Sequence, residues 1–514
     1  MQHSKCLPLR WETTLEQWWY ASPIEWAAAN GHYELVRELL LLDSNHLIKL
    51  TSLRRLRRLE TLWEDGEDVE RSRDIAMCRS LVARELLREC ESKRRDSPLI
   101  RGGYGGWLIY TAASAGDSGF IKELLERDPL IVFGEGEYGV TDILYAAAKS
   151  NDCNVFRLVF DSVASPSFST GKDGDLEELK GGIPSEYKGE MMNRAVHAAA
   201  RGGNLRVLKE LLEHCSDISA YRDANGSTVL HSAAARGQIE VVKYLLGAFN
   251  LIECTDHQGN TALHTAAYRG KLQAVQALAT VSPVLISVRN NAGETFLHMA
   301  VSGFQSPDFQ RLDRQIELVS HLISEKSLEV EEFINARTNN GRTALHLALI
   351  GKVNSALVGL LMSVPSIDLN VRDEYGMIPL DVLKQQPQSA QSDVLIRQLV
   401  SAGGEYSSDN HDFSAAKSVY SQLKMMQVYG TNSPGTLFEI PDGEIALHVG
   451  PGNGLDSTSA GLSETGMSSS SLDWASGSCS SIVQSGSSPA RRLKRALWPS
   501  TRERKHEHVR EVRG

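Results

Sequence analysis

The chain has 514 residues, of which 41% are hydrophobic and 23% are charged, so most of it can fold around an apolar core. Seven cysteines, without a CxxC pair or a regular spacing, exclude a disulfide-stapled fold and favour reduced thiols. A net charge of −10 argues against a body that holds nucleic acid.

The first residues carry no recognisable targeting signal. They contain no apolar core of a secretory signal, and Gln2 at the second position excludes N-myristoylation. No segment approaches the roughly 18 consecutive apolar residues that a membrane-spanning helix needs. We therefore expect a protein without transmembrane segments, located in the cytoplasm, the nucleus or both.

Aromatic side chains mark the segment 1–21. Trp11, Leu15, Trp18 and Trp19 lie at helical spacing, and a threonine followed three residues later by a glutamate fits a capping box. The pattern predicts an N-terminal capping helix, because the apolar end of a repeat array must be covered. A peptide-binding aromatic groove is the alternative.

Internal repeats dominate the region that follows residue 195. Four nine-residue segments share a glycine at the fourth position and end in Thr-x-x-His or a close variant. The histidines His197, His231, His264 and His298 are 34, 33 and 34 residues apart, and a step of 48 leads to His346. The segments are residues 223–231, 256–264, 290–298 and 338–346, and residues 373–381 form a degenerate copy that ends in Asp381.

The sequence after each histidine predicts two short helices. Apolar residues recur at helical spacing in two runs, which Gly237 or Gly270 separates in the clearest copies. Glycine permits a positive φ at a tight turn between helices. The Asp-x-x-Gly element ahead of each pair predicts a further turn.

This pattern resembles the ankyrin repeat, whose form is close to D-x-x-G-x-T-P-L-H-x-A-A-x-x-G-x-x-x-V-V-x-x-L-L. Leu230 and His231, followed by Ala233 and Ala234, match it almost position for position. The resemblance implies an all-α solenoid of helix–turn–helix units with β-hairpin or loop fingers. Plant-type ankyrin-repeat proteins without transmembrane segments, some of which act as soluble adaptors, are similar.

Weaker copies of the pattern precede the clear ones. They carry Glu25, Tyr110 or Leu144 in the histidine position and keep small residues after it. With these copies, we expect a solenoid of about nine units over residues 22–404. The additional copies occupy residues 22–40, 107–113, 141–147 and 195–212.

Three inserts interrupt the expected solenoid. Residues 43–98 are charged but rich in leucine and predict an elongated helical excursion. Residues 161–192 contain several glycines and Pro184 and predict a surface loop. Residues 304–315 are expected to lengthen one repeat between its two helices.

The composition changes after residue 404. Residues 457–488 contain 14 serines and 4 glycines, which is too polar a composition to bury a core. A short periodic piece at 415–429 predicts a docking helix. We expect residues 405–514 to form a mostly disordered Ser/Gly-rich tail.

The last 26 residues are basic, whereas the rest of the chain is acidic. Residues 489–514 hold nine Lys and Arg against three Asp and Glu, so the preceding residues carry −16. The basic end 491–505 predicts a nuclear-import signal, a calmodulin target or a contact with an acidic membrane, and a solubilising tail is the plain alternative. The residues that would carry these functions are Arg491, Arg492, Lys494, Arg495 and Trp498.

The repeated histidines invite a metal or catalytic interpretation. Histidines on neighbouring packed helices would lie roughly 10 Å apart, whereas zinc needs each ligand nitrogen within about 2.1 Å of the metal ion. Each of His231, His264, His298 and His346 follows a threonine by three residues at a helix start. We therefore predict hydrogen bonds to that hydroxyl and to backbone groups of the next unit, and no catalytic, cofactor or metal site.

The glycine-rich stretches do not form a phosphate-binding loop. Residues 102–106 lack the following Lys-Ser/Thr, and residues 134–139 contain two glutamates that would repel phosphate. The common motifs of hydrolases, zinc proteases and kinases do not occur in the sequence either. The sequence thus predicts a protein that is not an enzyme and takes no small-molecule substrate.

The resemblance implies a concave surface of fingers and inner helices that binds other proteins. The predicted function is a non-enzymatic scaffold or adaptor, with no nucleic acid on the solenoid. A peripheral-membrane or calmodulin-regulated signalling protein that uses the basic end is the alternative. Tyr268 and Arg269 are the first candidates for contact, because Tyr and Arg anchor many interfaces. The predicted contact residues are Arg222, Asp223, Ser232, Arg236, His257, Thr265, Tyr268, Arg269, Asn290, Asn291, Met299 and Asn339.

Overall fold

A computed structural model of the chain describes most residues up to Glu405. All described residues lie within one compact unit, Met1–Glu444. The expected tail and its basic end therefore fall, beyond residue 405, outside the described residues. The described ranges are 10–12, 18–43, 45–64, 69–93, 99–165, 184–213, 215, 217–304, 312–324, 330–350, 354–385 and 390–405.

The N-terminal segment forms strands instead of the expected capping helix. β1 (Arg10–Glu12) and β2 (Trp18–Tyr20) pair antiparallel, with Trp11 opposite Trp19. The helix predicted within residues 1–21 is therefore wrong for both three-residue pieces. Tryptophan and tyrosine favour strands, and the pairing gives their backbone groups hydrogen-bond partners without a helix.

Helices make up most of the other described residues. Short turns of 3-10 or π geometry lie at Ile100–Tyr104, Pro129–Phe133, Ile218–Ala220 and Pro283–Ile286. The α-helices are α1 (Pro23–Ala29), α2 (Tyr33–Leu42), α3 (His46–Thr51), α4 (Leu53–Glu64), α5 (Val69–Lys93), α6 (Gly105–Ala115), α7 (Ser118–Arg127), α8 (Val140–Lys149), α9 (Cys153–Ala164), α10 (Ser185–Gly202), α11 (Leu205–Leu212), α12 (Val229–Arg236), α13 (Ile239–Ala248), α14 (Ala262–Tyr268), α15 (Leu272–Val281), α16 (Phe296–Gly303), α17 (Leu312–Ser324), α18 (Val330–Phe333), α19 (Ala344–Leu349), α20 (Ser355–Met362), α21 (Pro379–Lys384) and α22 (Ala390–Ser401).

Nine helix pairs can be traced in the described part of the chain. From α6 onward, each inner helix packs against the inner helix of the next pair, so that one core runs through the stack. This is the all-α solenoid that the repeats predict. The inner helices are α1, α6, α8, α10, α12, α14, α16, α19 and α21, and the outer helices are α2, α7, α9, α11, α13, α15, α17, α20 and α22.

The pair α12–α13 illustrates why the sequence folds this way. Thr228 caps the start of α12, and Gly237 ends it in the left-handed region with a φ of 70°. Ala233 and Ala234 are completely buried, and their small side chains let neighbouring inner helices approach closely. The outer helix is amphipathic and buries Leu245 against the inner layer.

The insert at 43–98 lies within the stack. Its longest helix, α5, packs against both α1 and α6 and so separates the first inner helix from the second. Arg84 of α5 forms an ion pair with Glu123 of α7 at 2.7 Å. The insert is helical, but it does not project from the solenoid as an excursion, because its apolar leucines are buried between units.

The other two inserts are shorter than expected in the described residues. Helix α9 continues to Ala164 and α10 begins at Ser185, so the loop predicted over 161–192 is wrong at both ends. The helical periodicity of the flanking helices simply extends into these residues. Residues 166–183 and 305–311 lie outside the described part of the chain.

Candidate functional site

The fingers are tight turns that precede the inner helices of the clear repeats. In the second of these turns, the Asp256 carboxylate accepts hydrogen bonds from the backbone N–H groups of Gln258 and Asn260 at 2.9 and 2.8 Å. Gly259 between them has a φ of 77°, which glycine adopts without strain. The side chain therefore fixes each turn from inside and leaves the tip to face outward.

A ladder of backbone hydrogen bonds joins successive fingers. The second residue of each turn donates its N–H to the carbonyl of the third residue in the preceding turn. Because backbone atoms make these bonds, the residue types at the tips can vary without loss of the ladder. The pairs are His257–Asn225, Asn291–Gln258 and Asn339–Ala292, each at 2.9 Å, and Glu374–Asn340 at 3.0 Å.

The repeated histidines join one unit to the next. The Nδ1 atom of His231 lies 2.8 Å from the Thr228 hydroxyl and accepts from the Thr228 backbone N–H at 3.2 Å. Its Nε2 atom lies 2.9 Å from the carbonyl oxygen of Asn260, so it must donate there. The predicted structural role is confirmed for all four histidines. The equivalent carbonyls of the next unit belong to Glu294 for His264, Arg342 for His298 and Met377 for His346.

Burial keeps these imidazoles neutral. It lowers the pKa of His264 and of His298 to about 4 and outweighs the hydrogen bonds from the rings to backbone carbonyls, which raise it. His197 is similar, with a pKa of about 4, and burial also lowers the pKa of His231 and His346. No group of three or more His, Cys, Asp or Glu that could hold a metal occurs among the described residues.

The predicted contact residues divide by exposure. The fully exposed residues among them all lie at finger tips. The exposed residues are His257, Asn291 and Asn339, and the half-buried ones are Arg222, Asp223, Arg236 and Arg269. The buried residues are Ser232, Thr265, Tyr268, Asn290 and Met299.

The burial of Tyr268 corrects the first choice of contact residue. Only 2% of Tyr268 is exposed, and it packs against Met299, which is completely buried. Gln315 of α17 donates to the Tyr268 carbonyl at 3.0 Å and closes this end of α14. In this conformation neither the Tyr268 nor the Met299 side chain is accessible to a partner. Arg269, whose guanidinium lies over the Tyr268 ring at 5.6 Å, is the accessible member of the pair.

Three further predicted contact residues are buried within the stack. The Ser232 hydroxyl lies 2.7 Å from Nδ1 of His197 in the preceding unit. Asn290 donates to the side chains of Asn260 and Glu294, each at 2.9 Å. Thr265 is completely buried on α14. As with Tyr268, burial excludes them as surface contacts in this conformation.

The insert helix α4 covers the inner-helix face of the early units. Arg57 of α4 pairs with Asp142 of α8 at 3.0 Å, and its guanidinium lies 4.4 Å from the centre of the Tyr145 ring. Tyr145 and Lys149 both lie on the inner helix α8. This part of the inner surface is therefore occupied by the chain itself, and no local sequence pattern indicates this contact.

Glu60 is the centre of this contact. The Tyr110 hydroxyl donates to it at 3.1 Å, and Lys149 lies 3.3 Å away. Burial acts to raise the pKa of Glu60, but the positive charges of Lys149, Arg57 and Arg79 outweigh it and lower the pKa below its ordinary value. The carboxylate is therefore charged and internally neutralised.

Two groups of residues have structural roles that their repeat positions in the sequence could have indicated. Glu25 and Asp381 occupy the histidine position and accept from the backbone N–H three residues earlier, at 2.7 and 3.4 Å. Arginines directly before the turns, such as Arg289 and Arg337, bond to carbonyls of the following unit. Their recurrence at one repeat position was the signal for a role.

The comparison with protein families decides the nature of the repeats. The family model described as "Ankyrin repeats (3 copies)" matches residues 174–254 and 248–312. The repeats within residues 174–312 are therefore ankyrin repeats. The matched region covers the units built on α10, α12, α14 and α16, where the histidine contacts and the finger ladder are most regular.

One curated relative shares part of this region. The NF-kappa-B inhibitor cactus of Drosophila melanogaster is 27% identical over 153 residues, which are 29% of this chain. The match spans only 25% of the length of cactus. Ankyrin repeats generally mediate protein–protein interaction, and relatives of this type are interaction proteins.

Two solved structures are also similar in part. One is a chain of a Bdellovibrio bacteriovorus complex of a predatory endopeptidase with an immunity protein, 25% identical, with a TM-score of 0.31 and coverage of 40% of this chain and 97% of that one. The other is an ankyrin-repeat domain from Acinetobacter baumannii, 24% identical, with a TM-score of 0.33 and coverage of 41% and 98%. These TM-scores are too low to support a conclusion about this chain.

No α-helix of the described residues is long and apolar enough to cross a membrane. The residues predicted to act in the basic end, from Arg491 to Trp498, lie outside the described part of the chain. Their import, calmodulin or membrane role stays a prediction from the sequence.

Proposed function

We propose that this ankyrin-repeat protein is a non-enzymatic scaffold or adaptor that binds partner proteins along the fingers of the units from α12 to α21. The observation that carries the proposal is the finger ladder, which aligns exposed tips on consecutive units. His257, Asn291 and Asn339 are exposed on tips whose backbones are held together. A preorganised surface binds without the entropic cost of ordering its loops.

Helix α4 covers the inner surface of the early units and so restricts where a partner can bind. Because α4 lies against Tyr110, Tyr145 and Lys149, a partner on the inner surface would meet this chain's own helix there. The later units carry no such cover among the described residues. We therefore place the partner on the fingers from Asp223 to Gly376.

Capture of partners by the full chain tests this assignment. Ala224 and Asn340 are exposed at finger tips, so Ala224→Glu with Asn340→Glu adds charge there with little effect on the fold. We expect quantitative affinity purification from a cell lysate to show loss of specific partners. The matched control is Gln273→Glu with Gln398→Glu on the exposed faces of α15 and α22. Equal retention of every partner by both variants would contradict the proposal.

The relative adds a general argument. Cactus is named as an inhibitor of NF-kappa-B, so it is named for its effect on another protein. A repeat array that acts by contact needs no reaction chemistry, which supports a non-enzymatic role here as well. Cytoplasmic or nuclear location is part of the same proposal.

The alternative function concerns the basic end alone. The excess of Lys and Arg in residues 489–514 supports a membrane-bound or calmodulin-regulated protein. Flotation with phosphatidylserine vesicles and calmodulin pull-down, with the full chain and a chain ending at residue 488, test it. Identical behaviour of the two chains in both assays would eliminate this alternative.

A further inference from the structure

A row of arginines follows the base of the fingers. Each lies directly before the first residue of a finger turn, and we call them the finger arginines. Thr255 takes this position in the finger between the first two of them. The finger arginines are Arg222, Arg289 and Arg337, and Arg372 takes the same position before the last finger without being counted among them.

Backbone carbonyls hold the guanidinium groups in place. Arg222 donates through Nη1 to the carbonyl of Gly226 at 2.6 Å and to that of Thr255, in the next unit, at 2.8 Å. Arg337 donates through Nη2 to the carbonyl of Arg372 at 2.7 Å. Each side chain thus bridges two units, and little conformational entropy remains to be lost on binding.

These guanidinium groups still carry unused binding capacity. An arginine has five N–H donors, and the Arg337 side chain uses two of them, towards the carbonyls of Gly341 and Arg372. Among the described residues, no carboxylate lies within salt-bridge distance of Arg222, Arg289 or Arg337. Carbonyl oxygens satisfy hydrogen bonds but leave the positive charge uncompensated.

Acidic groups on the same fingers do not cancel this charge. The Asp223 carboxylate accepts from the backbone N–H groups of Asn225 and Ser227, each at 2.9 Å, within its own turn. Glu374 is exposed on the tip of the last finger. Over the finger segments 222–227, 255–260, 289–294 and 337–342, four arginines stand against three carboxylates, so the row has a net charge of +1 on a chain whose net charge is −10.

We propose that the finger arginines bind an extended acidic segment of a partner protein, by charge-assisted hydrogen bonds to its carboxylates. The proposal rests on the partner-binding function proposed above and gives its chemistry. Units spaced by roughly 10 Å match every third residue of an extended chain, which rises about 3.3 Å per residue. Carboxylates three residues apart would therefore meet Arg289 and Arg337 on consecutive units, and a carboxylate six residues further along would meet Arg222, because Thr255 interrupts the row.

The spacing favours a polypeptide over a nucleic acid. Double-stranded DNA carries about one charge per 1.7 Å of its axis, so one arginine per roughly 10 Å would leave most phosphates without a partner. The acidic body of this protein would also repel a polyanion of that density. A sparse acidic segment reduces both costs, because it carries fewer charges per unit length.

Fluorescence anisotropy with the full chain tests the proposal. The probe is a fluorescein-labelled Gly/Ser peptide of about 15 residues with glutamate at every third position, a spacing set by the rise of an extended chain. The reference probe carries glutamine instead. We expect the glutamate probe to bind, the glutamine probe not to bind, and binding to weaken as salt rises from about 0.05 to 0.5 M.

Matched variants locate the site. Arg289→Gln with Arg337→Gln should weaken binding of the glutamate probe about tenfold, as expected for the loss of two charged contacts. Arg206→Gln with Arg397→Gln makes the same charge change on the exposed faces of α11 and α22 and should change the affinity less than about twofold. Arg289→Lys with Arg337→Lys keeps the charge and should lose less affinity than the glutamine pair. Circular dichroism melting checks that each variant folds.

Three outcomes would overturn the inference. The first is an equal loss in the finger and control variants, which would indicate diffuse charge. The second is no binding of the glutamate probe by the wild-type chain at low salt. The third is tighter, arginine-dependent binding of a DNA duplex, which would assign the row to nucleic acid. Ala224→Glu with Asn340→Glu can release partners even where substitution of the finger arginines leaves binding of the glutamate probe unchanged. That combination would support the scaffold function and contradict this inference alone.

Discussion

At the scale of single residues, Glu60 shows how this chain uses a buried charge. Its carboxylate is enclosed between the insert and two repeat units and is neutralised by Lys149 and Arg57 rather than by solvent. A buried ion pair contributes little net stability compared with apolar packing, but removal of one partner leaves the other uncompensated. The loss of stability when Glu60 is replaced therefore measures how completely α4 packs against α6 and α8.

Glu60→Gln should lower the free energy of unfolding by about 3–5 kcal/mol, because Lys149 and Arg79 would lose the buried carboxylate that they both face. Urea denaturation followed by circular dichroism measures the change. Glu126→Gln, on the exposed face of α7, is the matched control and should alter the midpoint little. Similar midpoints for both variants would mean that α4 does not bury Glu60 in solution.

The contrast between His264 and Tyr268 explains what the sequence could predict at this scale. The role of His264 is predictable because its threonine partner lies three residues away, within one repeat. The burial of Tyr268 is not predictable from local sequence because it depends on Met299 and Gln315, on later helices. Arg57 and Asp142, which are 85 residues apart in the chain, meet without any local pattern that announces the contact.

At the scale of elements, each inner helix is held between two others. Helix α14 packs against α12 on one side and α16 on the other, and it buries Leu263 completely. A solenoid of this kind has only neighbour contacts, so a defect in one helix weakens the interfaces on both of its sides.

Leu263→Ala should lower the free energy of unfolding by about 2–5 kcal/mol, because it opens a cavity in the core that α14 shares with its neighbours. Thermal melting and urea denaturation measure the effect. Leu42→Ala removes the same atoms from a side chain that is 81% exposed, and it should change stability little. An unchanged melt for Leu263→Ala would refute the assigned register.

The elements also separate what periodicity can predict from what it cannot. Units with a glycine turn after a short helix, such as the one ending at Gly237, were predictable because backbone conformation and apolar spacing agree. The segment around Trp11 and Trp19 was not, since four aromatic or apolar residues fit a helix and a strand pair equally well over so short a length. The place of α5 between units depends on packing and left no periodic signal.

At the scale of the whole molecule, the buried histidines couple stability to pH. In the folded chain His197, His264 and His298 have a pKa of about 4, whereas the ordinary value is 6.5. Between these values the unfolded chain binds more protons than the folded one. Stability is therefore greatest above about pH 6.5 and falls as the pH drops towards 4.

The wild-type chain should lose stability steadily between about pH 7 and pH 5.5, with each buried histidine contributing up to about 1.4 kcal/mol per pH unit within its window. Urea midpoints at a series of pH values measure the slope. His264→Asn should be less stable than the wild type at neutral pH yet show a shallower slope, because one titrating group is gone. A slope equal to that of the wild type would show that His264 is not neutral and buried.

The residue in the histidine position also sets whether a side-chain hydrogen bond joins one unit to the next. His346 donates to the carbonyl of Met377 in the following unit, whereas Asp381 accepts from the backbone N–H of Ile378 in its own unit. A carboxylate has no proton to offer a further repeat at neutral pH. To graft an extra ankyrin unit after residue 405, an engineer would therefore begin with Asp381→His, since this single exchange supplies the missing donor at the junction.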